Sequence, residues 1–111
     1  MSSQLPASGR VILIGRLVAA PTVRTLAGGG RMATLRIATT HTDRSRRLTE
    51  EHELIALGRP AEAAGALPAR RLVYAEGLVQ ARESAPPVVV LDHLLPIGPN
   101  RPTPDGGSRL P

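Results

Sequence analysis

Only one stretch of this chain, Pro60 to Ala66, reads as a helix, and every other candidate for regular structure reads as strand. Proline suits a first helical turn, Ala-Glu-Ala-Ala favours the next, and Gly65 stands near the end. Three strand-forming runs precede it: Val11 to Val18, Arg31 to Thr40 and Glu51 to Leu57. Two follow: Leu72 to Arg82 and Val88 to Ile97, the last made ragged by Pro96. In the second run the apolar Met32, Leu35 and Ile37 interleave with Thr34 and Arg36, as on a half-buried strand. Isolated Gly15 and Gly77 mark bulges or sharp bends of the kind a small barrel needs to close. Three strands, a short helix and two strands make an all-β order that points to a small closed barrel.

The connections complete the organisation. Ala19-Ala20-Pro21 ends the first run, and Gly28-Gly29-Gly30 reads as a turn. No Lys-Ser or Lys-Thr follows those glycines, so they are not a phosphate loop. His41 to Glu50 is dense in charge and hydroxyls and reads as a long, mobile hairpin loop. Glu83 to Pro87 reads as a tight connection. Residues 1–9 are expected to be a flexible N-terminus, 10–98 the barrel domain, and 99–111 a disordered Pro/Gly-rich tail. The pattern alone fits an OB-fold or an SH3-like barrel. A single helix between the third and fourth strands favours the five-stranded OB-fold. The core must be aliphatic, because there is no Phe, no Trp and one Tyr. The absence of Cys excludes disulfides and thiolate metal sites. The apolar run Val11 to Ile14 is too short for a signal-peptide core or a membrane span, so the expectation is a cytoplasmic protein.

Charge narrows the class of partner. The chain carries 14 basic and 9 acidic residues, a formal net charge of +5, and every basic residue is Arg. Guanidinium groups bind phosphate bidentately and stack on bases, so a polyanionic partner fits this balance. A high-GC coding bias accounts equally well for Arg over Lys, but less well for the net charge. Asp92-His93 and the acidic Glu50, Glu51 and Glu53 bring no nucleophile motif with them, so no enzyme is expected. His52 and the flanking Glu51 and Glu53 lie on opposite faces of a strand and lack metal-ligand spacing, so neither metal nor cofactor is expected.

Four segments, in order, carry a resemblance. They are Val11-Ile12-Leu13-Ile14-Gly15-Arg16-Leu17 with Pro21-Thr22-Val23-Arg24; Met32 through Thr40; Thr49-Glu50-Glu51-His52 through Arg59 with Ala61-Glu62; and Val73 through Arg82. Together they span about residues 10–98 and resemble the bacterial single-stranded DNA-binding family. The resemblance implies an OB-fold that binds single-stranded DNA, with RNA as an alternative, in replication, recombination or repair. It also implies a homo-oligomer, dimer or tetramer, with no membrane partner.

The nucleic-acid candidates are Arg16, Arg24, Arg36, Arg59 and Arg82 on the barrel, of which Arg16, Arg36 and Arg82 fall at basic or polar places of the family pattern; Arg44, Arg46 and Arg47 form a basic clamp in the hairpin loop, suited to a flexible strand. Scattered solvated charge is the competing reading for each. Val11, Leu13, His52 and Tyr74 are the oligomer-interface candidates. Tyr74 is also open to core packing or base stacking, and His52 to an ordinary barrel position. The departures are specific. The family stacks bases on aromatics, but Glu51 stands where tryptophan is usual and Leu57 where phenylalanine is usual. The tail lacks the acidic tip that recruits replication and repair proteins. Two alternatives therefore stand beside DNA binding: a tail-less primosomal replication protein, and a degenerate paralogue serving as an assembly subunit.

Overall fold

The computed structural model describes residues 8–98. The strands are β1 (Gly9–Leu17), β2 (Thr22–Thr25), β3 (Arg31–Asp43), β4 (Arg46–Leu57), β5 (Leu72–Arg82) and β6 (Ala85–Pro96). One helix, α1 (Arg59–Ala64), lies between β4 and β5. The sheet order is β1-β5-β6-β4-β3-β2, and an additional β1–β3 pairing closes it. β2 continues the path of β1 along β3 after a break at residues 18–21: Arg16 pairs with Ala38, Leu17 with Ile37, and Thr22 with Thr34. The two are halves of one broken strand, so the barrel is five-stranded.

Strand alternation builds the interior. Leu35 and Ile37 of β3, Leu54 and Ala56 of β4, and Val73 and Ala75 of β5 point inward and are buried. Each fully buried Val, Leu or Ile contributes about 1.5–3 kcal/mol relative to exposure, and this core needs no aromatic ring. The helix covers one end of the barrel by burying Ala61 and Ala64, three residues apart on one face.

Several boundaries differ from expectation. The stretch His41 to Glu50 is no long loop. β3 and β4 stay paired out to Asp43 and Arg46, and Arg44-Ser45 is a two-residue turn with φ of 53° and 68°. Positive φ at both turn residues matches the twist of a tight hairpin. Directly after the Pro21 that ends the first run, Thr22–Thr25 forms the short strand β2, which the sequence reading did not contain. Gly9 and Arg10 already belong to β1. Gly15 carries no bulge: it pairs regularly with Val73, and glycine is required because β3 crosses close above it. A Cβ at Gly15 would collide with the Ala38 carbonyl oxygen and stand 3.0 Å from its carbon. Gly77 does sit at a register shift, which leaves Asp92 of β6 unpaired in the ladder. Residues 1–7 and the tail 99–111, expected to be flexible, lie outside the described residues. Among the described residues no helix is long and apolar enough to cross a membrane.

Candidate nucleic-acid interface

The outer face of β2, β3 and β4 is open to solvent, and strand register decides what stands on it. On β3 the outward residues are Thr34, Arg36, Ala38 and Thr40; opposite them on β4 stand Ile55, Glu53, Glu51 and Thr49. Arg16 lies beside Ala38, and Arg24 beside Met32. Arg16, Arg24 and Arg36 therefore share one face. Arg82, at the end of β5, reaches its edge through Glu53.

The eight sequence-predicted arginines do not all gather there. Arg44 is in the hairpin turn, with Arg46 and Arg47 beginning β4 beside it. Arg59 opens the helix near the other end of β3. The 13 residues of β3 separate these groups, about 40 Å of extended chain. The hairpin is a projecting basic ribbon, and by alternation Arg47 continues the face of Thr40 and Thr49.

Two hollows indent the open face. One is lined by Val18, Ala19, Ala20, Thr22 and Thr34; the other by Glu50, Glu51, Pro86 and Pro87. Both border Arg36 and Glu53. Arg36 approaches Glu51 at 3.7 Å and Glu53 at 4.0 Å. Arg82 donates from Nη2 to Glu53 at 3.1 Å and from Nε to the Pro86 carbonyl at 2.9 Å. The two arginines nearest the middle of the groove are thus engaged by carboxylates. Beyond Arg36 the face turns apolar: Met32 pairs with Leu57, which is 47% exposed, and Ile55 is their neighbour.

His52 points the other way, into the barrel, and is buried. Its Nε2 is hydrogen-bonded to Thr39 Oγ1 at 2.9 Å. Burial holds its pKa below the usual imidazole value, although Glu50 nearby pulls upward. The other interface candidates divide. Val11 and Leu13 face inward and pack against the core. Tyr74 lies on the outer face of β5, between Ile14 and Leu95, and its hydroxyl donates to Glu76 at 3.0 Å. That bond raises the Tyr74 pKa. Around Tyr74 is a second exposed surface, formed by Ile12 (57% exposed), Ile14 (53%), Leu78 (49%) and Leu95 (56%). Arg10 bridges Asp92 and Glu76 within it, and its pKa is raised mainly by Asp92, with Glu76 adding to the effect.

Sequence reasoning missed Ile12, Ile14, Leu78, Leu95 and the Glu53 bridge. The first two were within reach, since Arg10 and Arg16 share their parity along β1 and mark the outward face.

A closed five-stranded barrel, with a helix at the third crossover and an open face over its second and third strands, is an OB-fold. The chain is similar to the wild-type single-stranded DNA-binding protein from Thermus aquaticus, with a TM-score of 0.70 and 28% identity over 82% of this chain. A deletion mutant of that protein matches at 0.66 with the same identity. The chain spans about half the length of the Thermus protein, 50% and 51% in the two structures. PriB from Ralstonia solanacearum matches at a TM-score of 0.66 and 16% identity, over 78% of this chain and 95% of that one, a likeness of fold. No protein-family model matches the chain.

Proposed function

We propose that this chain binds single-stranded DNA along the groove over β3 and β4, as a non-catalytic homo-oligomer in replication, recombination or repair. The observation that carries the reading is the grouping of Arg16, Arg24 and Arg36 on the open face of an OB barrel. The 28% identical Thermus barrel belongs to a single-stranded DNA-binding protein. Guanidinium groups in a row track a phosphate backbone, and the basic hairpin extends that track. The aliphatic strip Met32, Ile55 and Leu57 offers bases a flat contact without aromatic stacking. The surface around Tyr74 supports self-association: four large aliphatic side chains about half exposed on one sheet face call for a cover, and a second copy supplies one.

Anisotropy of a labelled oligo-dT tests the reading, with oligo-U as the RNA comparison. The expected result is binding at about 50 mM salt that falls more than about tenfold by about 200 mM, as four to six phosphate contacts require. One observation favours a second reading. Glu51 and Glu53 occupy Arg36 and Arg82, as they would in an assembly subunit that has given up DNA. Absence of binding at low salt is the outcome that favours it.

A further inference from the structure

The Arg36–Glu53 pair forms part of both hollows, so a strand running from one to the other must cross it. Glu53 is placed there by register, as the direct cross-strand partner of Arg36. It also meets Arg82 from a third strand, whose other donor is held by Pro86 beside the turn between β5 and β6. One carboxylate thus engages two guanidinium groups that phosphates would otherwise engage. Carboxylate and phosphate oxygens accept from the same guanidinium donors.

We propose that Glu53 is an internal competitor for the phosphates of a bound strand and sets the affinity and salt dependence of the groove. The proposal rests on the binding reading above. Its logic is a difference in competition. A strand entering the groove meets Arg82 hydrogen-bonded to Glu53 and Arg36 ion-paired with it at 4.0 Å, so part of their attraction is spent on exchange. The protein then binds strands weakly enough to release them. Glu51, at 3.7 Å from Arg36, adds to the same effect.

The opposing role is that of a positioning residue, in which Glu53 orients the two arginines towards phosphate. The two roles differ in sign. The test compares E53Q with E62Q, which removes the same charge from the exposed face of α1, away from the groove. Thermal melts establish that both variants fold. For a competitor, E53Q binds labelled oligo-dT about threefold to tenfold more tightly than E62Q at about 50 mM salt. It also steepens the salt slope by about 0.7 for each phosphate newly engaged. Equal affinity of E53Q and E62Q, or weaker binding by E53Q, overturns the proposal. If the parent chain and E62Q fail to bind while E53Q binds, the competitor role stands and DNA binding by the parent falls. If none of the three binds, both fall.

Discussion

Gly15→Ala is the substitution that most directly tests how the barrel closes. The added Cβ would meet the Ala38 carbonyl oxygen, with the carbonyl carbon at 3.0 Å and Thr39 Cγ2 at 3.1 Å. The first two are backbone atoms in a paired strand, so the clash cannot be relieved by a rotamer change. It is relieved only by pulling β1 away from β3 at the Arg16–Ala38 pair, where the sheet closes on itself. Overpacking of this kind costs about 1–3 kcal/mol, and a backbone collision belongs at the upper end. For a domain of this size each kcal/mol shifts Tm by about 4–8 °C, so a fall of about 10–20 °C is expected in a thermal melt. Gly28→Ala is the control. Nothing lies within 4 Å of a Cβ there and its φ is not positive, so its effect should stay within about 0.5 kcal/mol. A Gly15→Ala melt within about 3 °C of the parent would refute the closure described for this barrel.

Further outcomes follow from individual side chains. Burial depresses the folded-state pKa of His52 below its free value of 6.5. The unfolded chain therefore takes up that proton first. Stability from this group is full above about pH 6.5 and is lost as pH falls towards the folded pKa. Denaturant melts across that range should show the parent losing stability relative to H52Q, and parallel curves would contradict it. Ile14→Glu places a charge in the exposed patch beside Tyr74, and light scattering should report a drop from oligomer to single-chain mass with the Tm little changed. A parent that is itself monomeric removes the premise. Leu57→Trp adds a ring to the apolar strip of the groove and should tighten oligo-dT binding about fivefold or more, with its fluorescence quenched by the strand. Unchanged affinity would place the strand elsewhere.

What could be read from the sequence followed the reach of local pattern. β5 runs from Leu72 to Arg82 as its alternation indicates, because its inner face is buried and its turns are marked. The outer halves of β3 and β4 were illegible for the converse reason. A hairpin that projects from the barrel is largely solvated, so Thr42, Asp43, Arg46 and Thr49 are all exposed and show no apolar alternation. Their β-branched threonines were the only hint. The short strand β2 is hidden behind Pro21, which reads as the end of the first run. At the site, alternation within β3 was enough to place Arg36 outward. It could not show that Glu53 stands opposite, since register between strands comes from the turn and the packing of both. The reach of Arg82 to Glu53 depends on the same long-range geometry. Val11 and Leu13, interface candidates by sequence, pack against the core instead, because on a strand apolar on both faces only Arg10 and Arg16 distinguish the sides.

The central claim is a location: single strands lie across the outer face of β2, β3 and β4. Amide chemical-shift mapping of the full chain during titration with oligo-dT measures it. The account predicts shifts concentrated at Arg24, Thr34, Arg36, Glu51, Glu53 and Leu57, continuing along the hairpin to Arg47, with the outer face around Ile12, Tyr74 and Leu95 undisturbed. Shifts centred on that second face, or none at saturating oligonucleotide and low salt, would contradict it.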